Sequence, residues 1–457
     1  MDEILKFIES NRNRYLEDLK ELLRFPSIST NPENKGDVAA CAEFIKQRFE
    51  NIGMHNAKAY PTGGHPVVYS DWLDAGKDKP TILIYGHYDV QPVDPIELWT
   101  TPPFEPEIRG NNIFARGSAD DKGQVLIHIE ALEAHLKMNK SLPVNVKMIV
   151  EGEEEIGSEH LEDFIDSHKD LLKADVVVIS DTAMYDHEMP AICYALRGLC
   201  YMQVEVTGPN HDLHSGTYGG TVDNPINALS YIISKLKDRD GKILIDGFYD
   251  DVRVLSEMER KELARLPFED KAFKIRLGVE ELFGEQGYST IERMWSRPTL
   301  DCNGIWGGFT GEGAKTVLPS KAYAKISMRL VPDQEPEKIA KLFEAYIKKI
   351  TPKTVKIEVK GLHHGKPAIT PMDSKWIKAA FKALKQAFGK DPVFIRNGGS
   401  IPIVETFQVQ LQAPAVLLGF GLPDENSHSP DEHMDLDNFQ RGIITSSIFY
   451  NELANLK

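Results

Sequence analysis

Histidines and carboxylates suited to holding metal ions stand just past the ends of several apolar runs in this sequence. The run 81–85 leads into GHYD, with His87 and Asp89; 145–150 leads into EGEEE, with Glu153, Glu154 and Glu155; 175–180 ends at Asp181; 415–418 precedes an ENSH loop ending at His428. In open α/β sheets, ligands bind outside the carboxyl ends of the strands, so residues far apart in sequence meet there. The types that converge are those of a metal site. A metal-bound imidazole needs its second nitrogen held by an acceptor, and a carboxylate two positions along can supply one, which gives His87-x-Asp89 a physical logic. Alone, that pair reads rather as a surface histidine beside a turn aspartate.

The other candidates have competing readings too. Asp120 and Asp121 sit in ARGSADDKG at the start of a helix, where an aspartate also serves as an N-cap; beside the other sites, Asp120 is placed to bridge two cations. Three successive glutamates repel one another unless cations or protons neutralise them, and a site with two ions would use one as ligand and another to take a proton from water. An exposed acidic turn is the bland alternative. His214 in DLHSG and His428 in NSHSP are loop histidines that gain meaning only from this company. The Gly-rich stretch RNGGSI, 396–401, lacks the spacing and lysine of a phosphate loop and reads as a contact for a carboxylate or carbonyl.

These residues need elements to position them. Leu5, Ile8, Tyr15, Leu19, Leu22 and Leu23 recur at helical spacing, predicting one amphipathic helix over 3–23, and 38–51 repeats the pattern. Buried strands over 81–85, 145–150, 175–179 and 415–418 alternate with helices around 123–136, 159–172 and 436–453, which implies a parallel α/β sheet. Between them the texture changes: alternating strands at 199–207, 323–331 and 355–359 and helices at 225–236 and 335–350 read as an inserted α+β sandwich. The stretch 240–300 is charged and mostly helical without a clear place. The chain thus divides into a first part of one domain over 1–194, an insert over 195–369, and the return of the first domain over 370–457.

At 457 residues the chain is long enough for two cores, and 41% hydrophobic with 27% charged residues is ordinary for a folded protein. A net charge of -16 disfavours nucleic acid, whose binding depends on neutralising phosphates with Lys and Arg. No run reaches the roughly eighteen apolar residues of a membrane span, the N-terminus does not read as a signal peptide, and the expected compartment is the cytoplasm. Cys41, Cys193, Cys200 and Cys302 lack CxxC spacing and are expected to be reduced packing residues.

Taken together, GHYDVQP, ARGSADDKG, EGEEEIGSE, DLHSG, GAKTVLP, RLVP, GGSIP and NSHSPDE resemble, in order and over nearly the whole chain, the dinuclear zinc metallopeptidases that include carnosine dipeptidases and cytosolic nonspecific dipeptidase. Succinyl-diaminopimelate desuccinylase is a more distant likeness. The resemblance implies a mostly parallel-sheet catalytic domain interrupted by a lid and dimerisation domain. It implies that His87 and Asp181 hold opposite metals with Asp120 bridging, while Glu155 and His428 complete the pair. Glu154 becomes the general base, a register set by the following Ile156-Gly157-Ser158, and Asp89 orients His87. His214 would reach the site of a neighbouring subunit in a homodimer; Thr316, Arg329, Gly399, Ser400 and His363 would contact substrate. The implied cofactors are two divalent ions, zinc first and manganese or cobalt as alternatives. The implied reaction is dipeptide hydrolysis through a water held between them, with an N-acyl-amino-acid deacylase or desuccinylase as the nearest rival and a noncatalytic metal-binding relative as the more distant one. A guanidinium at 329 suits a free C-terminal carboxylate, which it can grip through two hydrogen bonds.

Overall fold

The computed structural model of the chain describes residues 1–398 and 401–456. The chain forms two compact units, the first comprising Met1–Tyr194, Thr370–Ile395 and Ile403–Lys457 and the second Ala195–Ile369 with Arg396–Pro402.

The first unit is built on a mixed sheet whose centre is parallel. The strands Asn145–Glu151, Thr81–His87, Val176–Ile179 and Ala415–Leu417 lie side by side in that order, all parallel. They coincide with the four apolar runs expected to be buried strands, and each is buried along almost its whole length, as parallel strands covered on both faces must be. Antiparallel strands flank them: Val67–Trp72 and His55–Tyr60 at one side, Ala191–Leu196 at the other. Neither flank was expected from the sequence; on the first, VVYSDW and HNAKAY offer no clean alternation.

The helix Lys122–Asn139, buried continuously from Lys122 to His135, packs against Leu436–Ala454, which in turn packs on Lys375–Phe388. Its buried glutamates are paired: Glu130 receives Arg48 at 2.6 Å and Glu133 receives Arg14 at 2.5 Å. The helix expected over 3–23 is two helices, Asp2–Ser10 and Arg12–Leu23. Asn11 divides them by donating its side-chain amide to the Phe7 carbonyl at 2.8 Å, a local bond that competes with helix continuation. The helix expected over 159–172 likewise breaks at His168, into Leu161–Ser167 and Lys169–Leu172.

The second unit is an antiparallel sheet in the order Thr299–Gly307, Lys321–Leu330, Gly198–Thr207, Lys356–Gly365. One face is covered by Pro225–Ser234 and Pro336–Ile350, with Met202, Val204, Ile326 and Phe343 in the shared core. The unplaced stretch 240–300 contains three short helices, Glu257–Ala264, Asp270–Leu277 and Thr290–Ser296. Two of them begin with a Ser-x-x-Glu capping box, Ser256 with Glu259 and Ser289 with Glu292, a local signal that hydrophobic periodicity overlooks. Among the described residues no helix is long and apolar enough to cross a membrane.

Candidate metal centre and catalytic site

The carboxyl ends of the parallel strands and two loops of the first unit gather the expected ligand types. His87 is the last residue of its strand and is fully buried. Asp181 lies two residues beyond Val176–Ile179, Glu155 lies in a single 3-10 turn after Asn145–Glu151, and His428 stands on the loop before His433–Asp435 with a left-handed φ of 62°. Two groups form whose ligand atoms all lie within 4.8 Å of one another: His87, Asp120 and Asp181, and Asp120, Glu155 and His428. Asp120 belongs to both. Its Oδ1 is 3.1 Å from His87 Nε2 and its Oδ2 is 3.0 Å from His428 Nε2, while Glu155 Oε2 is 3.3 Å from the same His428 nitrogen.

The charge balance fits cations. Burial and the neighbouring carboxylates, Asp120 foremost, push the Glu155 carboxyl up to about 8 and hold that of Asp181 well above its ordinary range. His428 is raised to about 9 by its bond to Asp120 and by Glu155, and His87, against the effect of its burial, is raised by Asp120 and Asp89. Carboxylates that repel one another and imidazoles drawn toward protonation are the marks of a site built for positive ions. Two imidazole nitrogens with Asp and Glu oxygens form a donor set that divalent transition metals accept.

The three glutamates separate by geometry. Glu153 turns away: its buried carboxylate accepts the His65 amide at 3.0 Å and pairs with His160 Nδ1 at 2.9 Å. Glu155 faces His428 and also accepts Gln91 Nε2 at 2.7 Å. Glu154 is half-buried, and its carboxyl is raised by burial and by Asp120 and Asp89. Asp89 pins this turn, its Oδ1 accepting the Glu154 amide at 3.2 Å and its Oδ2 the Glu155 amide at 3.1 Å. Toward His87, Asp89 offers its backbone carbonyl at 3.1 Å from Nδ1, with the carboxylate Oδ1 at 3.5 Å. Asp121 occupies the N-cap position of Lys122–Asn139 without a capping side-chain bond; its Oδ2 instead accepts the His87 amide at 3.3 Å.

The second unit carries the remaining described candidates. His214 and Thr316 meet at a small antiparallel ladder between distant segments, where Leu213–His214 pairs with Val317–Leu318 and the Ser215 amide donates to the Thr316 carbonyl at 3.0 Å. Both side chains are exposed. The Gly216 amide donates to His214 Nδ1 at 3.0 Å, which makes Nε2 the proton-bearing nitrogen of the neutral ring. Arg329 stands opposite Leu199, and His363 opposite Tyr201, so both lie on the sheet face away from the helices. Arg197, which sequence reading passed over, has its guanidinium close to Arg329; burial and that neighbour lower it to about 10. Its Nε donates to the Gly398 carbonyl at 3.2 Å. Gly399 and Ser400 lie outside the described residues.

Parallel strands delivering imidazoles and carboxylates to one edge, with a carboxylate shared between two ligand groups, define a metal-dependent hydrolase. Comparison with known proteins gives the family. Residues 83–448 match the model of peptidase family M20/M25/M40. Over its full length the chain is 35% identical to the Cys-Gly metallodipeptidase dug1 of Schizosaccharomyces pombe, covering 99% of that protein, and 31% identical to human Beta-Ala-His dipeptidase, covering 93% of it. Its structure superposes with a TM-score of 0.84 on the M20 family metallo-carboxypeptidase Sso-CP2 of Sulfolobus solfataricus, at 36% identity and covering 97% of this chain and 99% of that one. Human carnosine dipeptidase 1 gives 0.81 at 30% identity, covering 100% and 99%. The chain belongs to peptidase family M20/M25/M40 and is a metallopeptidase.

Proposed function

We propose that this metallopeptidase is a dipeptidase that cleaves dipeptides bearing a free C-terminal carboxylate. The observation that carries the reading is Asp120, one carboxylate whose two oxygens each face a separate ligand group. His87, Asp120 and Asp181 would hold one divalent ion and Asp120, Glu155 and His428 a second, with zinc the first choice and manganese or cobalt compatible with the same donors. Ions held there would supply Lewis-acid polarisation of the scissile carbonyl and a lowered pKa for the attacking water. Glu154, carried on the turn that Asp89 pins, takes the proton of the attacking water and delivers it to the leaving amine nitrogen.

Arg329 grips the substrate carboxylate, and His363, Thr316, Gly399 and Ser400 complete the substrate contacts. The closeness of Arg197 to Arg329 supports the reading, since two neighbouring guanidiniums are eased by an anion. His214 of a partner subunit donates from Nε2 to the developing oxyanion, so the active form is a homodimer. Its exposure and fixed tautomer suit a residue that serves another chain's site. The relatives named as dipeptidases agree with this substrate class. Buried Cys41, Cys193 and Cys200 are in keeping with a reducing, cytoplasmic setting.

The test is hydrolysis by metal-stripped protein reconstituted with zinc, manganese or cobalt, against dipeptides, their C-terminal amides and N-acyl amino acids. Free dipeptides should be cleaved best. Preference for N-acyl amino acids would replace the reading with a deacylase, and no turnover with any ion would remove it.

A further inference from the structure

Glu432 sits four residues beyond His428, at the acidic end of NSHSPDE. It is fully buried. Its carboxylate is saturated by donors from one stretch of chain: Oε2 accepts Arg116 Nη1 at 2.7 Å and the Gly117 amide at 2.9 Å, and Oε1 accepts the Ala119 amide at 3.0 Å and the Asp120 amide at 3.1 Å. Its own backbone carbonyl accepts the Ala115 amide at 3.1 Å, and the next residue, His433, pairs with Phe114 in a short antiparallel ladder. Arg116 is buried as well, with Nη2 donating to the Pro92 carbonyl at 3.0 Å.

Apart from the Arg116–Pro92 bond, each of these contacts joins the segment that ends at Asp120 to the segment that begins at His428. The ladder of residues 112–114 with 433–435 joins the flanks of the two loops but includes neither Asp120 nor His428, so the separation of Asp120 Oδ2 from His428 Nε2 depends on what ties the loops together beyond it. The Glu432 carboxylate carries that tie to the amide of Asp120 itself. We propose that Glu432 is a positioning residue for the metal centre, holding the shared ligand Asp120 and the ligand His428 at the separation one ion requires. The inference rests on the reading that these two residues bind metal.

Glutamine is nearly isosteric, yet it must turn its NH2 group toward one of two donor pairs, leaving those donors without an acceptor and Arg116 without its countercharge. Aspartate keeps the charge but falls short by one methylene. Glu425 supplies the control: it is buried in the same loop and, among the described residues, its carboxylate accepts the Leu422 and Asp435 amides, at 2.7 and 2.8 Å.

The experiment titrates metal-free wild type, E432Q, E432D and E425Q with Co²⁺ alone, followed by its visible absorption, with circular dichroism as the check on folding. Wild type should take up two ions. E432Q should bind one of them about 10- to 100-fold more weakly, the range typical for residues that orient metal ligands, with E432D intermediate and E425Q close to wild type. Excess Co²⁺ should restore the kcat of E432Q with KM unchanged. Wild-type affinity in folded E432Q, or in E432D should E432Q fail to fold, would overturn the inference, as would an equal loss in E425Q. A wild type that takes up no Co²⁺ would instead overturn the functional reading beneath it.

Discussion

His428 Nε2 lies 3.0 Å from Asp120 Oδ2, while the other oxygen of that carboxylate stands 3.1 Å from His87 Nε2. The two histidines are thus related through opposite oxygens of a single side chain. Removing Asp120 should therefore damage both ion sites, whereas removing His428 should damage one. Metal analysis after dialysis should find two ions per chain in wild type, about one in His428→Ala, and clearly less than one in Asp120→Ala. Equal losses in the two variants would contradict the sharing.

Glu154 is set beside the ligand groups by the grip of Asp89 on the amides of residues 154 and 155. Glu154→Gln should lower kcat by about 10²- to 10⁴-fold, the usual contribution of a general base, while metal content stays at the wild-type level. Full activity in this variant would sink the assignment.

Arg329 lies on the sheet face of the second unit away from the helices, and burial together with the Arg329 charge lowers the Arg197 guanidinium to about 10. Arg329→Met should raise KM for free dipeptides and lower kcat/KM by about 10- to 100-fold, as expected for a lost hydrogen bond to a charged group worth roughly 1.5–3 kcal/mol. Activity on C-terminally amidated dipeptides should change little. A uniform loss on both substrates would argue against carboxylate recognition.

His128 gives the protein an acid-sensitive core. Ser180 Oγ donates to the Leu418 carbonyl at 2.7 Å, so it accepts from His128 Nε2, leaving Nδ1 to accept the Tyr450 hydroxyl at 2.8 Å. Burial depresses this imidazole from 6.5 to about 3. In the unfolded chain it binds a proton near its ordinary value, so the stabilising effect of neutral His128 is complete above about pH 6.5 and fades as pH falls toward 3. The sign follows because the unfolded state binds the extra proton throughout that window. Urea unfolding of wild type and His128→Gln between pH 7 and 4 should show the wild type losing more stability, by up to about 1.4 kcal/mol per pH unit. Parallel curves would refute it.

Much of this architecture is legible in the chain itself. The four central strands announce themselves as apolar runs because parallel strands are buried on both faces, and burial leaves a continuous hydrophobic signature. His87, Glu155 and Asp181 follow those runs closely, so strand-end logic reaches them. The flanking strands His55–Tyr60 and Val67–Trp72, the division at Asn11 and the capped helices of 240–300 escape periodicity, because edge pairing, a side-chain bond and a cap each act through one or two residues.

The sequence by itself determined which residue types are available for metal chemistry and which strands would carry them, since both follow from local composition and order. Only the tertiary structure decided how they are used. It turned Glu153 toward His160 and Glu155 toward His428, gave the Asp89 carboxylate to two backbone amides, and buried Glu432 under four donors from the Asp120 loop. Those outcomes depend on contacts between segments up to some three hundred residues apart. Hydrogen bonds at that separation leave no periodic mark on either segment, so only the folded chain reveals them.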